Sequence, residues 1–275
     1  MFQLAAAPNY YLDRAPLAQA LAQVRFPIIA ILESLAGIAP LQEALRDRFP
    51  YMEQKDTHEV GILIGPAGPS EPMTSSQKTW ELTDDYGYRL VVQPNRATLS
   101  VGDAYTGIGD FADVFALVLD ALQAYGVPRC DRLGVRYLTI ADDDPGAPGQ
   151  WRTWFKPELR GLVDIVESTN LRTAQTQLQL RSPATDDYAE FPAAVQAIIR
   201  HGFAPKGSDL PGVPPIKLAG DAFFLDLDLF SNGPQAFDAA PIEQQFRRLH
   251  AEIDRFFYWA LSDEGRDYFG LELRS

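Results

Sequence analysis

Residues Phe223–Phe230 read FFLDLDLF, an apolar run broken by two carboxylates two residues apart. A spacing of two is the side-chain repeat of a β-strand, in which successive residues point to opposite faces. Phe223, Leu225, Leu227 and Leu229 then share one face, and Phe224, Asp226, Asp228 and Phe230 share the other. The same parity in TAQTQLQLR sets Thr173, Gln175, Gln177, Gln179 and Arg181 opposite Ala174, Thr176, Leu178 and Leu180. In two short echoing segments, VRF and VRY, Arg25 opposes Val24 and Phe26, and Arg136 opposes Val135 and Tyr137. Such segments predict a largely antiparallel sheet with one apolar face and one face that collects Arg, Gln and Asp.

The order of elements extends this to a fold class. LAQVRFP opens as a strand, and Ile28–Phe49, rich in Leu and Ala, follows as a helix. HEVGILIG, KTWELTDDYGYRLVVQP and RATLSVGD read as strands joined by turns, with GPAGPSEPMTSS as a surface loop. DFADVFALVLDALQAYG is an amphipathic helix that stops at Gly126. RLGVRYLTIADD then restarts the series, and DPGAPGQWRTWFKPELRGLVDIV returns as loop and short helix. LRTAQTQLQLRS, AVQAIIRHGF and AFFLDLDLF are further strands, and PIEQQFRRLHAEIDRFFYWAL is a closing amphipathic helix. APKGSDLPGVPPIKLAGD, between the last two strands, reads as a Pro- and Gly-rich loop open to proteolysis. The expectation is an α+β fold of two pseudo-repeats, about 17–126 and about 132–270, within one compact unit of residues 1–275. Each repeat runs strand, helix, antiparallel meander, helix, with the helices on one face, a layout that resembles the saddle of TATA-binding proteins. That resemblance concerns layout and implies no function.

Composition narrows the partners. A formal net charge of −13 opposes attraction to a phosphate backbone, so nucleic acid is not expected as a partner. One cysteine, Cys130, allows no intrachain disulfide, and no Cys/His spacing matches a zinc site, which fits a reducing, cytoplasmic setting. The start, MFQLAAAPNYYLDRAP, lacks the basic region of a signal peptide, and no apolar run reaches the ~18 residues of a membrane span. No membrane association and no cofactor are expected.

APLAQALAQVRFP, DRLGVRYLTI, FFLDLDLF and LHAEIDRFFYWALSDEGRDYFG, in that order along most of the chain, resemble a sporadically distributed, uncharacterised bacterial family of about this length. The resemblance implies a bacterial source and carries no catalytic residue over.

Two surfaces remain as sites. Arg25, Arg136, Gln175, Gln177, Arg181, Asp226 and Asp228 form the polar sheet face, where two arginines can clamp an anionic ligand or an acidic protein segment. Within it, Asp226 and Asp228 are expected to pair with Arg25, Arg136 or Arg181 across strands. Phe257, Tyr258 and Trp259 carry more aromatic surface than one helix face needs, which leaves them for a protein contact, a second copy of the chain included. The three histidines are scattered, and Trp151, Trp154 and Phe155 read as core anchors. A non-enzymatic binding or interaction module is the reading preferred on these residues. The alternative is a divalent-metal-dependent hydrolase or nuclease centred on Asp226 and Asp228, for which no third ligand or catalytic motif stands out.

Overall fold

In the computed structural model of the protein, all residues are described except 62, 63, 66, 67, 70–72, 144, 145, 168, 169, 183–187, 211 and 275. For the described residues between 56 and 77 the backbone alone is considered. The chain begins with β1 (Tyr10–Leu12), β2 (Leu17–Arg25), a 3-10 turn (Ala30–Glu33) and α1 (Leu35–Leu45). The strands β3 (Tyr51–Gly61), β4 (Ile64–Gly65), β5 (Gly68–Pro69), β6 (Met73–Thr83), β7 (Tyr88–Gln93) and β8 (Arg96–Val101) follow, closed by α2 (Ile108–Tyr125). Next come β9 (Arg129–Asp142), α3 (Trp151–Trp154), α4 (Pro157–Arg160), a second 3-10 turn (Gly161–Ile165), β10 (Ala174–Arg181) and β11 (Val195–Ala204). The chain ends with β12 (Asp209–Leu210), β13 (Ile216–Lys217), β14 (Ala222–Ala236), α5 (Ala239–Ala260), α6 (Asp263–Tyr268) and β15 (Leu271–Leu273). The fold is α+β with a large antiparallel sheet, as the alternation predicts.

The chain divides into two compact units, one of residues 1–22, 134–233 and 244–275, the other of residues 23–133 and 234–243. Strands β2, β9 and β14 each run through both, because the divisions fall inside them.

In the second of these units the strand order is β2-β8-β7-β6-β3. Register puts Leu82 opposite Leu90 and Leu90 opposite Leu99, and all three are buried in one apolar row. Helix α2 buries Phe111, Val114, Phe115, Val118, Leu119 and Leu122, the 3.6-residue stripe visible in the sequence. It lies on that row's face of the sheet, since Phe111 stacks on Tyr88 at 6.3 Å and Asp110 accepts from the Tyr88 hydroxyl at 2.7 Å. Gly126 ends the helix at φ 92°, in the left-handed region that a Cβ disfavours, and its N–H caps the last turn. The stretch read as one helix from Ile28 is a 3-10 turn and then α1. Ser34 separates them, its Oγ accepting from the Gly37 N–H at 3.1 Å as an N-cap. Gly37 is obligatory there, because a Cβ would lie 1.9 Å from the Ile31 carbonyl oxygen. The segment HEVGILIG forms the end of β3 and the whole of β4, and residues 62 and 63 fall outside the described residues.

In the other unit the order is β10-β11-β14-β9. Phe223, Leu225, Leu227 and Leu229 are buried on the helical face. Trp151 stacks on Phe223 at 4.7 Å and on Phe203 at 5.7 Å, and Phe155 meets Phe223 at 4.5 Å, so these aromatics are core anchors, as expected from their loop-to-helix position. Helix α5 supplies Phe246, Leu249, Ile253, Phe256 and Ala260 to the interior.

The sheet's opposite face corrects the expectation of an open surface. Leu210 and Leu218, in the segment read as a loop, pack with Leu138, Ala204, Ala222 and Phe224 into a second small core. Strands β12 and β13 pair within that segment. Gln19 clamps it through both backbone groups of Val213, accepting from the N–H at 2.8 Å and donating to the carbonyl at 2.7 Å. Part of the polar face is therefore roofed. The apolar residues that make this possible, Leu138 and Phe224, stand on the polar side of their own strands.

Candidate binding face

Parity on β14 holds: Asp226 and Asp228 lie opposite the buried leucines, and register places Arg200 of β11 across from Asp226 and Ile198 across from Asp228. Asp226 is nonetheless only 1 % exposed. Arg136 grips it with both arms of its guanidinium, Nε to Oδ1 at 2.6 Å and Nη2 to Oδ2 at 2.7 Å. Arg200 adds Nη1 to Oδ2 at 3.0 Å and donates from Nε to Oε1 of Gln177 at 2.9 Å. The result is a charged ladder across four strands, Gln177, Arg200, Asp226 and Arg136. Burial disfavours the charge on Arg136, but the hydrogen bonds and charge of Asp226, with the charge of Asp228, outweigh it and hold the Arg136 pKa above the usual guanidinium value.

Of the three arginines expected to meet the aspartates, Arg136 does so. Arg181 lies at the end of β10 opposite Gln196, and Arg25 donates to Gln23. Arg200 takes the second place. Its signal was present in VQAIIRHGF, where Arg200 shares parity with Gln196, but Ile198 between them hides the polar row.

The other unit carries a separate polar field on its non-helical face. Gln23 of β2 donates to Thr98 Oγ1 at 2.9 Å, and its Oε1 accepts from Arg25 Nε at 3.1 Å and from Arg132 Nη1 at 3.1 Å. One residue pair further along, Gln93 donates to Thr79 Oγ1 at 3.2 Å and accepts from Arg96 Nε. Glu81 binds Lys55 at 2.9 Å and Arg89 at 2.6 Å. Gln23, Thr98, Gln93 and Arg96 obey the same alternation that marks Arg25. Extending the parity along LAQVR and RATLSV from Arg25 finds Gln23, Arg96 and Thr98, and the alternation of YRLVVQ adds Gln93.

Arg25 is exposed, and it hydrogen-bonds a neutral amide oxygen, whereas Asp226 is enclosed by guanidinium groups. Chemically the first arrangement presents donors outward, and the second consumes a carboxylate's acceptor capacity internally. Gln175, Gln177 and Arg181 are exposed, and Asp228 and Arg136 are half-buried.

On α5, Phe257, Tyr258 and Trp259 are half-buried. The chain's own terminal segments reach this side. Tyr10 meets Tyr258 at 5.2 Å, the Arg266 guanidinium sits 4.3 Å over the Tyr258 ring, and Lys156 lies 5.3 Å over Trp259. β1 pairs with β15 beside them in the sequence ends. Of the histidines, His250 lies 5.4 Å from the Tyr137 ring, and burial, helped by Arg247, pushes its pKa down to about 4. His201 is shifted in the same direction by burial. No described helix is long and apolar enough to cross a membrane.

Comparison with known proteins finds no matching family model and no matching curated protein.

Proposed function

We propose that the chain is a non-enzymatic binding module of a bacterial cytosol, and that it uses the polar face around Arg25 to hold an anionic ligand or an acidic protein segment. The observation that carries this reading is Arg25 itself, exposed on a field of Gln and Thr side chains and bonded to an amide oxygen rather than a carboxylate. A guanidinium so placed, with Nε on Gln23, keeps its Nη donors for a carboxylate or phosphate. The metal-dependent alternative is disfavoured by geometry. Both oxygens of Asp226 already accept from three guanidinium nitrogens, and a divalent cation there would sit against two fixed positive charges. The α5 aromatics support a partner surface less well, since the chain's own Tyr10, Lys156 and Arg266 lie on them.

The same reading takes the fold as two diverged copies of one strand-helix-meander-helix unit, in the manner of the TATA-binding saddle. Its support is the matching neighbour order, β2-β8-β7-β6 and β9-β14-β11-β10, each series beginning with an arginine-bearing echo strand and closing with a long helix. The sequence resemblance to the sporadically distributed bacterial family is compatible with a binding role.

The test is a titration of the labelled protein with a short tetraglutamate peptide, followed by NMR of the arginine Nε–H and tryptophan Nε1–H groups. Saturable shifts at Arg25, lost in Arg25→Glu, with the Trp259 indole unmoved, are expected. Shifts confined to Trp259, or none up to about 1 mM peptide, the weak end of the affinity scale, would overturn the reading.

A further inference from the structure

Strand β10 ends the sheet order, and among the described residues it hydrogen-bonds only β11. Gln175–Gln179 are all exposed, so neither face of this strand is covered at its centre. The Ser182 N–H donates to the Val195 carbonyl at 2.7 Å, which fixes the direction of the backbone groups. In an antiparallel pair these groups alternate between partner and outside. The even-numbered residues of β10 thus serve β11, and Gln175, Gln177, Gln179 and Arg181 point their N–H and C=O groups to the free edge.

Free edges are ordinarily guarded by charge, proline or a bulge. β10 reads AQTQLQLR, with no proline and no charge before Arg181, and it pairs with β11 over eight consecutive residues without a bulge. The contrast within the molecule is β3, terminal in the other unit's order, which carries Glu53 and Lys55. In a chain of net charge −13 the β10 edge is a neutral stretch of paired donors and acceptors.

We propose that β10 is a docking edge for a second copy of this chain, joined β10 to β10 antiparallel about a two-fold axis at Leu178. The occupant follows from the sequence of the edge, which is complementary to itself. With Leu178 on the axis, Gln177 meets Gln179 and Gln175 meets Arg181, which turns every outward backbone group of both strands into about eight N–H···O bonds. The polar side chains stay on one face, where the amides can hydrogen-bond each other and Arg181 faces a glutamine instead of its own mate. On the other face Leu178, 43 % exposed, packs on its mate, and Thr176 packs on Leu180. No like charges are opposed, and the two-fold makes the contact closed, so it yields a dimer rather than a fibre. A single strand pair buries less than the area of a permanent dimer, so the association is weak and concentration-dependent.

Sedimentation equilibrium of the full chain up to about 300 µM, within reach of a weak contact, is expected to show a monomer–dimer equilibrium. Gln179→Pro removes one outward N–H and no backbone bond to β11, and Leu178→Lys sets two ammonium groups on the axis; each is expected to raise the dimer Kd at least ~10-fold with an unchanged melting temperature. Oxidation of Leu178→Cys is expected to give a covalent dimer, because residues facing each other in this register are about 4.5 Å apart at Cα, within disulfide reach. Thr176→Cys, which faces residue 180, is expected to stay unlinked, and the native Cys130 is buried. A chain that remains monomeric at 300 µM, the top of that range, overturns the proposal. So does a dimer that both edge variants leave intact, or linking of Thr176→Cys as readily as of Leu178→Cys.

Discussion

Asp226 shows how far burial changes what one carboxylate is worth. An exposed cross-strand pair contributes only ~0.2–1 kcal/mol. Asp226 is buried and shared by Arg136 and Arg200, and removing its charge leaves two partly buried guanidinium groups uncompensated, a change that costs about 3–5 kcal/mol. Asp226→Asn is therefore expected to destabilise the protein about as much as the core truncation Leu227→Ala, ~2–5 kcal/mol, in urea unfolding. Asp228→Asn, at a half-buried site, should cost clearly less. Parity identified which side of the strand Asp226 takes, and it offered Arg136 as one of three possible partners. It did not reveal the burial, which comes from Phe224 and Leu138 on the same side and from the residues 205–220 that cover them. His250 makes the corresponding pH statement. Its folded pKa, about 4, lies below its unfolded value, so the imidazole is neutral in the fold, and its contribution is fully present above pH ~6.5. Stability is then lost as pH falls from ~6.5 towards 4, by up to roughly 3 kcal/mol, with His201 acting in the same direction. The urea midpoint should fall between pH 7 and pH 4.5, and His250→Leu should flatten that slope; an unchanged slope would mean the ring is protonated in the fold.

At the scale of elements, strands and long helices were legible because their periods, 2 and 3.6, are imposed by which side each residue buries. The α2 stripe and the β14 alternation are examples. The segment at 205–220 was not, because its order does not come from a period. It comes from two leucines and one distant glutamine that find their partners only in the folded chain. Its prolines and glycines signal a loop in either case. The structural difference is measurable by limited proteolysis, which should spare this segment in the native chain. Gln19→Ala removes both hydrogen bonds to the half-buried Val213 backbone, costing about 1–3 kcal/mol. Leu218→Ala opens the small core for ~2–5 kcal/mol. Both variants should become cleavable between residues 205 and 220 under conditions where the parent resists. Cleavage of the parent there at the same rate would show that the roof is not held.

For the whole molecule, charge decides which anions can reach the arginines. The net charge of −13 is a long-range property, whereas Arg25, Arg96 and Arg132 act locally, within a screening length of about 8 Å at physiological salt. A small anion or a short acidic segment can enter that local field. Duplex DNA must bring one phosphate charge per ~1.7 Å of its length against the acidic remainder of the surface as well. Non-specific DNA binding is driven by release of counterions to clustered Lys and Arg, and here the arginines of the sheet face lie among Gln and Thr acceptors or are neutralised by Asp226 and Glu81. Duplex DNA is therefore not expected to be a partner of this chain. Fluorescence anisotropy of a labelled duplex is expected to show no binding tighter than ~10⁻⁴ M at about 0.15 M salt, and lowering the salt should not rescue it, because weaker screening strengthens the repulsion. Micromolar affinity that rises steeply as salt falls would show instead that the local arginine field outweighs the net charge.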